Sequence, residues 1–121
     1  MSVSEPLVQA TLLGEAIDGG PALVLVADEE MNFVAVNQHA CELLGYDREE
    51  FLRLSVPQIA RYPEAAVEFR EMVATGRRCG STVFDRKDGS RVAVRYKASE
   101  TKVAHMSFFV CIGFEDSPQV A

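Results

Sequence analysis

The sequence predicts an α+β domain in which one five-stranded antiparallel sheet carries short helices on one face, with a further helix at the N-terminus. Three observations lead to this prediction. Segments 22–27 and 105–114 are apolar on both faces, as central strands are. Segment 91–99 alternates apolar and polar residues, as a strand does when one of its faces meets solvent. Between these strands, residues 37–75 contain several helix start and stop signals.

The predicted N-terminal helix covers residues 4–18, because Pro6 suits a first helical turn and Gly19-Gly20 ends the helix. Its apolar residues form two stripes that together span a wide arc. We therefore expect the helix to lie across the sheet with one stripe and to offer the other to a second copy, giving a homodimer. A helix folded wholly onto the sheet of its own monomer is the alternative. The candidate interface residues are Leu7, Val8, Leu12 and Ala16.

The first two strands are predicted over residues 22–27 and 33–36. In the turn between them, we expect Asp28 to accept backbone hydrogen bonds and Asn32 to take the left-handed conformation that this residue type tolerates. The uninterrupted apolar sequence of the first strand places it at the centre of the sheet, beside strand 105–114.

Short helices follow these strands. Asn37 is the predicted N-cap of a helix that Gly45 ends. Asp47 and Glu50 have the spacing of a capping box at the start of the next helical turn. Residues 52–62 predict irregular structure or one more short helix.

A longer helix is predicted from Pro63 to Thr75, with Gly76 as its stop. Its glutamates, Glu68 among them, are expected to face water. The apolar face, which would pack on the sheet, contains Ala65, Phe69, Met72 and Val73.

Three strands complete the sheet, over residues 79–86, 91–99 and 105–114. The Asp88-Gly89 pair is typical of a tight hairpin turn between the first two. Alternation predicts that one face of strand 91–99 contains Val92, Val94, Tyr96 and Ala98.

Five short motifs follow one another along these elements. They are Asp28, Asn37, Gly45-Tyr46, Glu50-Phe51 and Lys87-Asp88-Gly89. In this order and spacing they resemble the PAS domain, a small sensory fold. The resemblance implies a PAS domain over residues 22–116, preceded by a cap or dimerisation helix in 1–21 and followed by the start of an exit segment in 117–121. One departure is Met31, where the family often has Gly, and we expect the neighbouring Asn32 to serve the turn instead.

The cofactor-binding subfamilies of this fold have recognisable residues that this chain lacks. Flavin-binding light sensors have a reactive Cys shortly after the Gly-Tyr helix, where this chain has Leu54-Ser55-Val56-Pro57. They also have a Gln in the last strand, which is absent from residues 109–114. Haem sensors usually take an axial His from the long helix, and residues 64–75 contain none. The resemblance therefore implies a colourless protein without haem or flavin, in which a small apolar ligand is the remaining candidate.

Composition limits the partners further. The chain of 121 residues is enough for one domain, and its net charge of −6 disfavours nucleic acid and anionic membrane surfaces, which require basic faces. It has no apolar run of the ~20 residues that a membrane span needs, and its first residues lack the features of a signal peptide. Cys41, Cys79 and Cys111 have no CxxC spacing. We therefore expect three buried thiols in a reducing cytoplasm, without disulfides or a metal site.

The space between the long helix and the sheet is the candidate ligand pocket. A solid core without a ligand is an equally good interpretation, because cavities are the exception in packed interiors. Tyr96 favours a ligand slightly, since a buried hydroxyl needs a hydrogen-bond partner. The sequence does not decide which face of each strand points inward. The candidate lining residues are Cys41, Leu44, Phe69, Val73, Tyr96, Phe108 and Val110.

The leading functional interpretation is a sensory or regulatory domain that binds a small ligand, homodimerises, or both, and passes its state to a downstream effector. Asp116-Ser117 resembles the Asp-x-Thr element that links many PAS domains to an exit helix, although an ordinary helix cap is the alternative. The second interpretation is a dimerisation module without a ligand. An enzyme on a similar cone-shaped fold is the third, and it would need an ionisable base in the pocket. The predicted inward faces carry no Asp or Glu, so no catalytic residue is predicted.

Overall fold

The first half of the chain is mainly helical around two short strands, and three longer strands make up most of the second half. The computed structural model describes residues 3–116. In chain order the elements are α1 (Pro6–Asp18), β1 (Leu23–Ala27), β2 (Phe33–Val36), α2 (Gln38–Leu44), α3 (Arg48–Phe51), α4 (Val56–Ile59), α5 (Ala65–Thr75), β3 (Arg77–Asp85), β4 (Arg91–Val103) and β5 (Met106–Glu115).

The five strands form one antiparallel sheet in the order β2-β1-β5-β4-β3. β1 and β5 are neighbours, and each has a partner strand on both sides. The central position predicted from their apolar sequences is therefore confirmed. β4 extends further than predicted and pairs with β5 as far as Val103 and Met106. The turn between them places Ala104 and His105 at φ values of 51° and 66°, both left-handed, as a type I′ hairpin turn requires.

The core lies between one face of this sheet and helices α2–α5. Phe51 of α3 is fully buried, and its ring meets Phe33 edge-on with centroids 5.2 Å apart. Each short helix buries between one and three side chains, and this packing is what holds elements of four to seven residues in place. The largest fully buried side chains are Phe51, Leu23, Leu44, Ile59 and Val94.

The prediction that Phe108 and Val110 of β5 line the pocket is wrong, because the other face of β5 points inward. Phe109 is 4% exposed and points into the core with Cys111, whereas Phe108 and Val110 lie on the outer face of the sheet. The register gives the reason, because Ala27 of the core pairs with Phe109 and directly opposed residues share a face. Both faces of β5 are apolar, so alternation within the strand could not make this distinction.

In the turn between β1 and β2, Asp28 accepts backbone hydrogen bonds as predicted. The left-handed residue, however, is not Asn32. The Asp28 carboxylate accepts hydrogen bonds from the backbone N–H groups of Glu30 at 2.9 Å and Asn32 at 3.0 Å. The left-handed residue is Met31, with φ of 69°. That conformation costs an L-residue about 1–2 kcal/mol. It is held by the Asp28 bonds and by the Met31 carbonyl, which accepts from the N–H of Val56 at 2.8 Å.

The predicted helix boundaries at Gly45 and Asp47 are confirmed. Gly45 takes a left-handed conformation with φ of 84° at the end of α2. At the start of α3, the Asp47 carboxylate accepts from the Glu50 N–H at 2.8 Å, and the Glu50 side chain accepts from the Asp47 N–H at 3.2 Å. These reciprocal bonds form the capping box.

The Asn37 side chain joins three elements. It is 4% exposed and all of its hydrogen-bonding positions are used. Its Oδ1 accepts from the N–H groups of Ala40 at 3.1 Å and Val24 at 2.9 Å. Its Nδ2 donates to the carbonyl oxygens of Ile17 at 2.8 Å and Ala22 at 2.7 Å. One buried amide therefore caps α2, fixes the start of β1 and holds the end of α1.

Helix α1 does not bury a stripe against its own sheet, contrary to expectation. None of its residues is buried, and only Val8 and Asp18 are half-buried. Its side-chain bonds to the rest of the domain are at its C-terminal end, where Asp18 accepts from Arg48 at 2.6 Å and from the Gln38 N–H at 3.2 Å. The helix is therefore attached mainly through its last turn.

The sheet face away from α2–α5 is consequently apolar and partly open. Its exposed large side chains include Val83, Ile112 and Phe114, the last of which is 56% exposed. In the described part of the chain, no helix is both long and apolar enough to cross a membrane.

The three cysteines differ in burial, although all were expected to be buried. Cys41 is buried in the core, and burial raises the pKa of its thiol. Cys111 faces the interior from β5, and burial raises the pKa of that thiol to about 12. Cys79 is exposed on β3, an edge strand. All three are free thiols.

We predict that Phe109→Ala lowers the free energy of unfolding by about 3–5 kcal/mol, because it empties a buried aromatic site. The neighbouring Phe108→Ala should cost less than about 1.5 kcal/mol, because Phe108 lies half-buried on the outer face. Urea denaturation of both variants measures the difference. Equal losses, or a larger loss for Phe108→Ala, would show that β5 is inverted relative to this register.

We also predict that one thiol of the native protein reacts rapidly with Ellman's reagent near neutral pH and that two react slowly. Cys79 is open to the reagent, whereas Cys41 and Cys111 are enclosed and hold their protons through raised pKa values. Cys79→Ser should remove the fast phase and leave the slow phases unchanged. A fast phase that persists in this variant would contradict the buried placement of the other two.

Candidate ligand cavity

A cavity of about 90 Å³ lies between helix α5 and the inner face of the sheet. Its walls are mainly apolar and come from every strand of the sheet and from α4 and α5. The apolar lining residues are Leu25, Ala27, Phe33, Val56, Ala60, Ala65, Phe69, Met72, Phe84, Ala98, Phe109 and Cys111.

Two aromatic rings in contact with each other line the cavity. Phe69 of α5 and Phe109 of β5 meet edge-on with centroids 5.7 Å apart. Ala98 and Ala65 lie on β4 and at the start of α5, and both are buried. Both also line the cavity, and their small side chains leave space that larger residues would fill.

One end of the cavity is polar. There the Tyr62 hydroxyl donates to the Glu68 carboxylate and forms a second hydrogen bond, at 2.6 Å, with the Thr82 hydroxyl. Arg78 Nε donates to the Tyr96 hydroxyl at 2.8 Å. The Arg78 guanidinium also lies 3.4 Å from the Glu68 carboxylate. The side chains of Arg78 and Glu68 are 26% and 23% exposed, so solvent reaches this polar end.

Both tyrosines at this end are neutral near pH 7. Burial, together with the bond to the Glu68 carboxylate, raises the pKa of Tyr62 to about 12. Burial also raises the pKa of Tyr96, although the neighbouring Arg78 cation acts in the opposite direction. The bond to Tyr96 raises the pKa of Arg78, which stays charged. The polar end therefore offers hydroxyl and guanidinium donors beside an ionised ion pair.

Two of the expected lining residues, Phe69 and Tyr96, do line the cavity. Cys41 and Leu44 are buried in the main core but are not among the lining residues. Val73 is 41% exposed, because the face that α5 turns to the sheet is centred on Phe69 and Met72. Phe108 and Val110 also lie outside the cavity, for the reason of register given above.

Most of the polar residues at the cavity were missed. Glu68 was assigned to the solvent face of its helix, and with it the expectation that the inward faces contain no acid is wrong. Its carboxylate is already bonded to Tyr62 and Arg78, which leaves it in a structural ion pair. The usable signal in the sequence was Arg78, a charged residue two positions after the predicted helix stop at Gly76 and directly before the predicted strand 79–86.

The expected interface residues of α1 are open to solvent. Leu7 and Leu12 are 76% and 53% exposed, Ala16 is exposed, and Val8 is half-buried. At the other end of the domain, the Asp116 N–H donates to the Ala93 carbonyl at 2.8 Å, which ties the end of the sheet to β4. Ser117, the second residue of the expected exit element, lies outside the described residues.

Over residues 3–116, no group of His, Cys, Asp and Glu side chains has an arrangement that could hold a metal ion. The thiol among the lining residues, Cys111, keeps its proton near neutral pH, because burial raises its pKa to about 12. What the arrangement offers is a partly enclosed, mainly apolar volume with hydrogen-bonding groups at one end, which is the form of a small-molecule site.

Comparison with solved structures shows the fold. The chain is similar to a PAS domain from a two-component sensor histidine kinase, with a TM-score of 0.80 and 15% identity over 93% of this chain and 100% of that one. It is similar to the PAS domain of an HTR-like protein from Haloarcula marismortui, with a TM-score of 0.77 and 23% identity over 88% and 91% of the two chains. A domain of a sensory box sensor histidine kinase/response regulator from Geobacter sulfurreducens gives a TM-score of 0.79 and 18% identity over 93% and 99%.

Sequence comparison adds the family. No curated protein matches the sequence. The family model of the PAS domain matches residues 21–115, which contain the whole sheet, the helices of its inner face and the cavity between them. The chain therefore belongs to the PAS domain family.

Proposed function

We propose that this PAS domain is a sensory module that binds a small, mainly apolar molecule in the cavity under α5. PAS domains are typical of sensor kinases and signal transduction, and two of the similar structures come from sensor histidine kinases. The observation that supports ligand binding here is the cavity itself, with apolar walls and a polar end close to solvent. A core optimised only for stability would fill this volume.

The size of the cavity limits the ligand. An engineered apolar cavity of about 150 Å³ binds benzene. The volume here is about 90 Å³, so the ligand would have only a few non-hydrogen atoms unless the cavity expands. The ring systems of flavin and haem are much larger than this. The volume supports the expectation that neither cofactor belongs here, as do Val56 at the position of the reactive Cys and the lack of His in α5.

Occupancy of the cavity has a short path to the rest of the molecule. Phe109 and Cys111 line the cavity and pair directly with Ala27 and Leu25 of β1. The start of β1 is bonded to Asn37, which also holds the end of α1. We propose that a shift of β5 on ligand binding passes through β1 and Asn37 to α1, and from there to an effector.

A homodimer is the second part of the proposal. α1 exposes apolar side chains around much of its surface, and the outer face of the sheet exposes Ile112 and Phe114. Contiguous apolar surfaces of this kind usually mark an interface. Pairing two copies through α1 would cover them symmetrically. Free thiols fit a reducing cytoplasm as the location. If the cavity stays empty, this surface favours a dimerisation module instead, and no catalytic activity is proposed in either case.

We predict that freshly purified protein carries a small bound molecule, seen as added mass in native mass spectrometry. Ala98→Leu should abolish the added mass, because its side chain would occupy the cavity. Ala93→Leu is the matched control, since Ala93 is exposed on the same strand and should leave binding unchanged. Unliganded wild-type protein, or equal added mass in both variants, would refute ligand binding in this cavity.

For the dimer, we expect sedimentation equilibrium at tens of micromolar, roughly the range of a weak interface, to give twice the monomer mass. Leu7→Glu combined with Leu12→Glu should give the monomer, because it places charge on the exposed apolar surface of α1. Gln9→Glu with Thr11→Glu adds the same charge at polar positions and should remain dimeric. A monomeric wild-type chain at this concentration would show that the dimer is wrong.

A further inference from the structure

The hydrogen bonds at the polar end of the cavity leave the proton of the Tyr96 hydroxyl unused. The Tyr96 hydroxyl accepts its bond from Arg78 Nε, so its own proton is not involved in that bond. Within residues 3–116, no acceptor is bonded to this proton. A buried hydroxyl of this kind normally donates as well as accepts. Tyr96 is half-buried and lines the cavity, so an occupant of the cavity can supply an acceptor for this proton in place of solvent.

The other two hydroxyl groups at this end, those of Tyr62 and Thr82, have no free proton to donate to a ligand. The Tyr62 hydroxyl donates its only proton to Glu68, so it must accept from the Thr82 hydroxyl. The proton of Thr82 is thereby used as well. Glu68 also lies beside the Arg78 guanidinium. Among the hydroxyl groups at this end, only the proton of Tyr96 remains for a ligand, and it favours a ligand with an acceptor atom.

The charges around Arg78 indicate whether the acceptor atom of the ligand is neutral or anionic. Arg78 is paired with Glu68 and, at 2.7 Å, with Glu71. Two carboxylates against one guanidinium leave this end of the cavity with an excess of negative charge. A ligand carboxylate would be repelled and would have to displace one of these pairs. A neutral oxygen acceptor on the ligand is not repelled by these carboxylates and does not need to displace an ion pair.

We propose that the cavity selects small uncharged molecules with an apolar body and a carbonyl-type oxygen, such as short ketones, lactones or esters, with the Tyr96 hydroxyl as the donor. This inference rests on the proposed ligand-binding function and names the ligand class for the same cavity. Arg78 is then a positioning residue, because its bond to Tyr96 Oη directs the hydroxyl proton away from itself and towards the ligand. Polarisation by the cation also makes that hydroxyl a stronger donor.

The test compares three probes of similar size, cyclopentanone, cyclopentane and butanoate, by NMR titration of the intact chain. We expect all cavity-lining methyl resonances to respond to cyclopentanone. Its affinity should exceed that of cyclopentane roughly three- to tenfold, the value of one neutral hydrogen bond. Butanoate should bind more weakly than cyclopentanone. Tyr96→Phe should remove the preference for cyclopentanone, whereas Tyr46→Phe, outside the cavity, should keep it.

Infrared spectroscopy supplies a measurement that does not depend on a variant folding well. The carbonyl stretch of bound cyclopentanone should lie below its frequency in an alkane, because a donated hydrogen bond weakens the C=O bond. Glu71→Gln offers a separate check on charge. Glu71 is 59% exposed, so the fold should tolerate the change, and butanoate should then bind several-fold more tightly while cyclopentanone is unaffected.

The outcomes separate this inference from the proposed function. If cyclopentanone and cyclopentane bind in the cavity equally, or butanoate binds best, the ligand class is wrong and ligand binding stands. An unshifted carbonyl stretch in the bound state also overturns the role of Tyr96. If none of the probes perturbs the cavity resonances at millimolar concentration, where even weak ligands of a few kcal/mol are detected, both the inference and the ligand-binding proposal fail.

Discussion

The arrangement of the N-terminal half depends on one buried amide, that of Asn37. Its carbonyl oxygen and its NH₂ group make two bonds each, to backbone groups of α1, of β1, of the residue before β1 and of α2. These partners are two N–H donors and two carbonyl acceptors, so only a side chain with both kinds of group satisfies them. An aspartate of the same shape would set its oxygens against the carbonyls of Ile17 and Ala22. Helix α1, strand β1 and helix α2 are thereby held together by one side-chain amide.

The sequence predicted the parts of this fold that local chemistry determines. Asp28, Asn37, Gly45 and Asp47 act as their side chains and backbone preferences indicate, and the two-sided apolar pattern placed β1 and β5 correctly. The inward face of β5 was not predictable within the strand, since Phe108 and Phe109 are equally apolar. Pairing with β1 decides it, and pairing is a property of two strands. Met31 shows a related limit, because its strained conformation is imposed by bonds that Asp28 and Val56 supply.

The polar end of the cavity was the least predictable part of the site for a similar reason. Glu68 looks like a surface residue on a helical wheel, and Arg78 like a strand terminus. They meet because α5 ends at a left-handed Gly76, which turns the chain back so that β3 starts beside the helix. Tyr96 joins from β4, the strand paired with β3. Three elements thus supply one polar cluster at one end of the cavity. The other lining residues are mainly apolar, alanines and aromatic rings among them.

The attachment of α1 through its last turn has a mechanical consequence. A helix of 13 residues is about 20 Å long. Because the hydrogen bonds that join it to the rest of the described domain are at Ile17 and Asp18, any rotation of the helix would pivot at Asn37 and the Arg48 ion pair. A rotation of roughly 10° about that pivot moves the far end by about 3 Å, whereas the atoms at the pivot move by a fraction of this distance. A small displacement beside Asn37 would therefore be larger at the first turn of the helix.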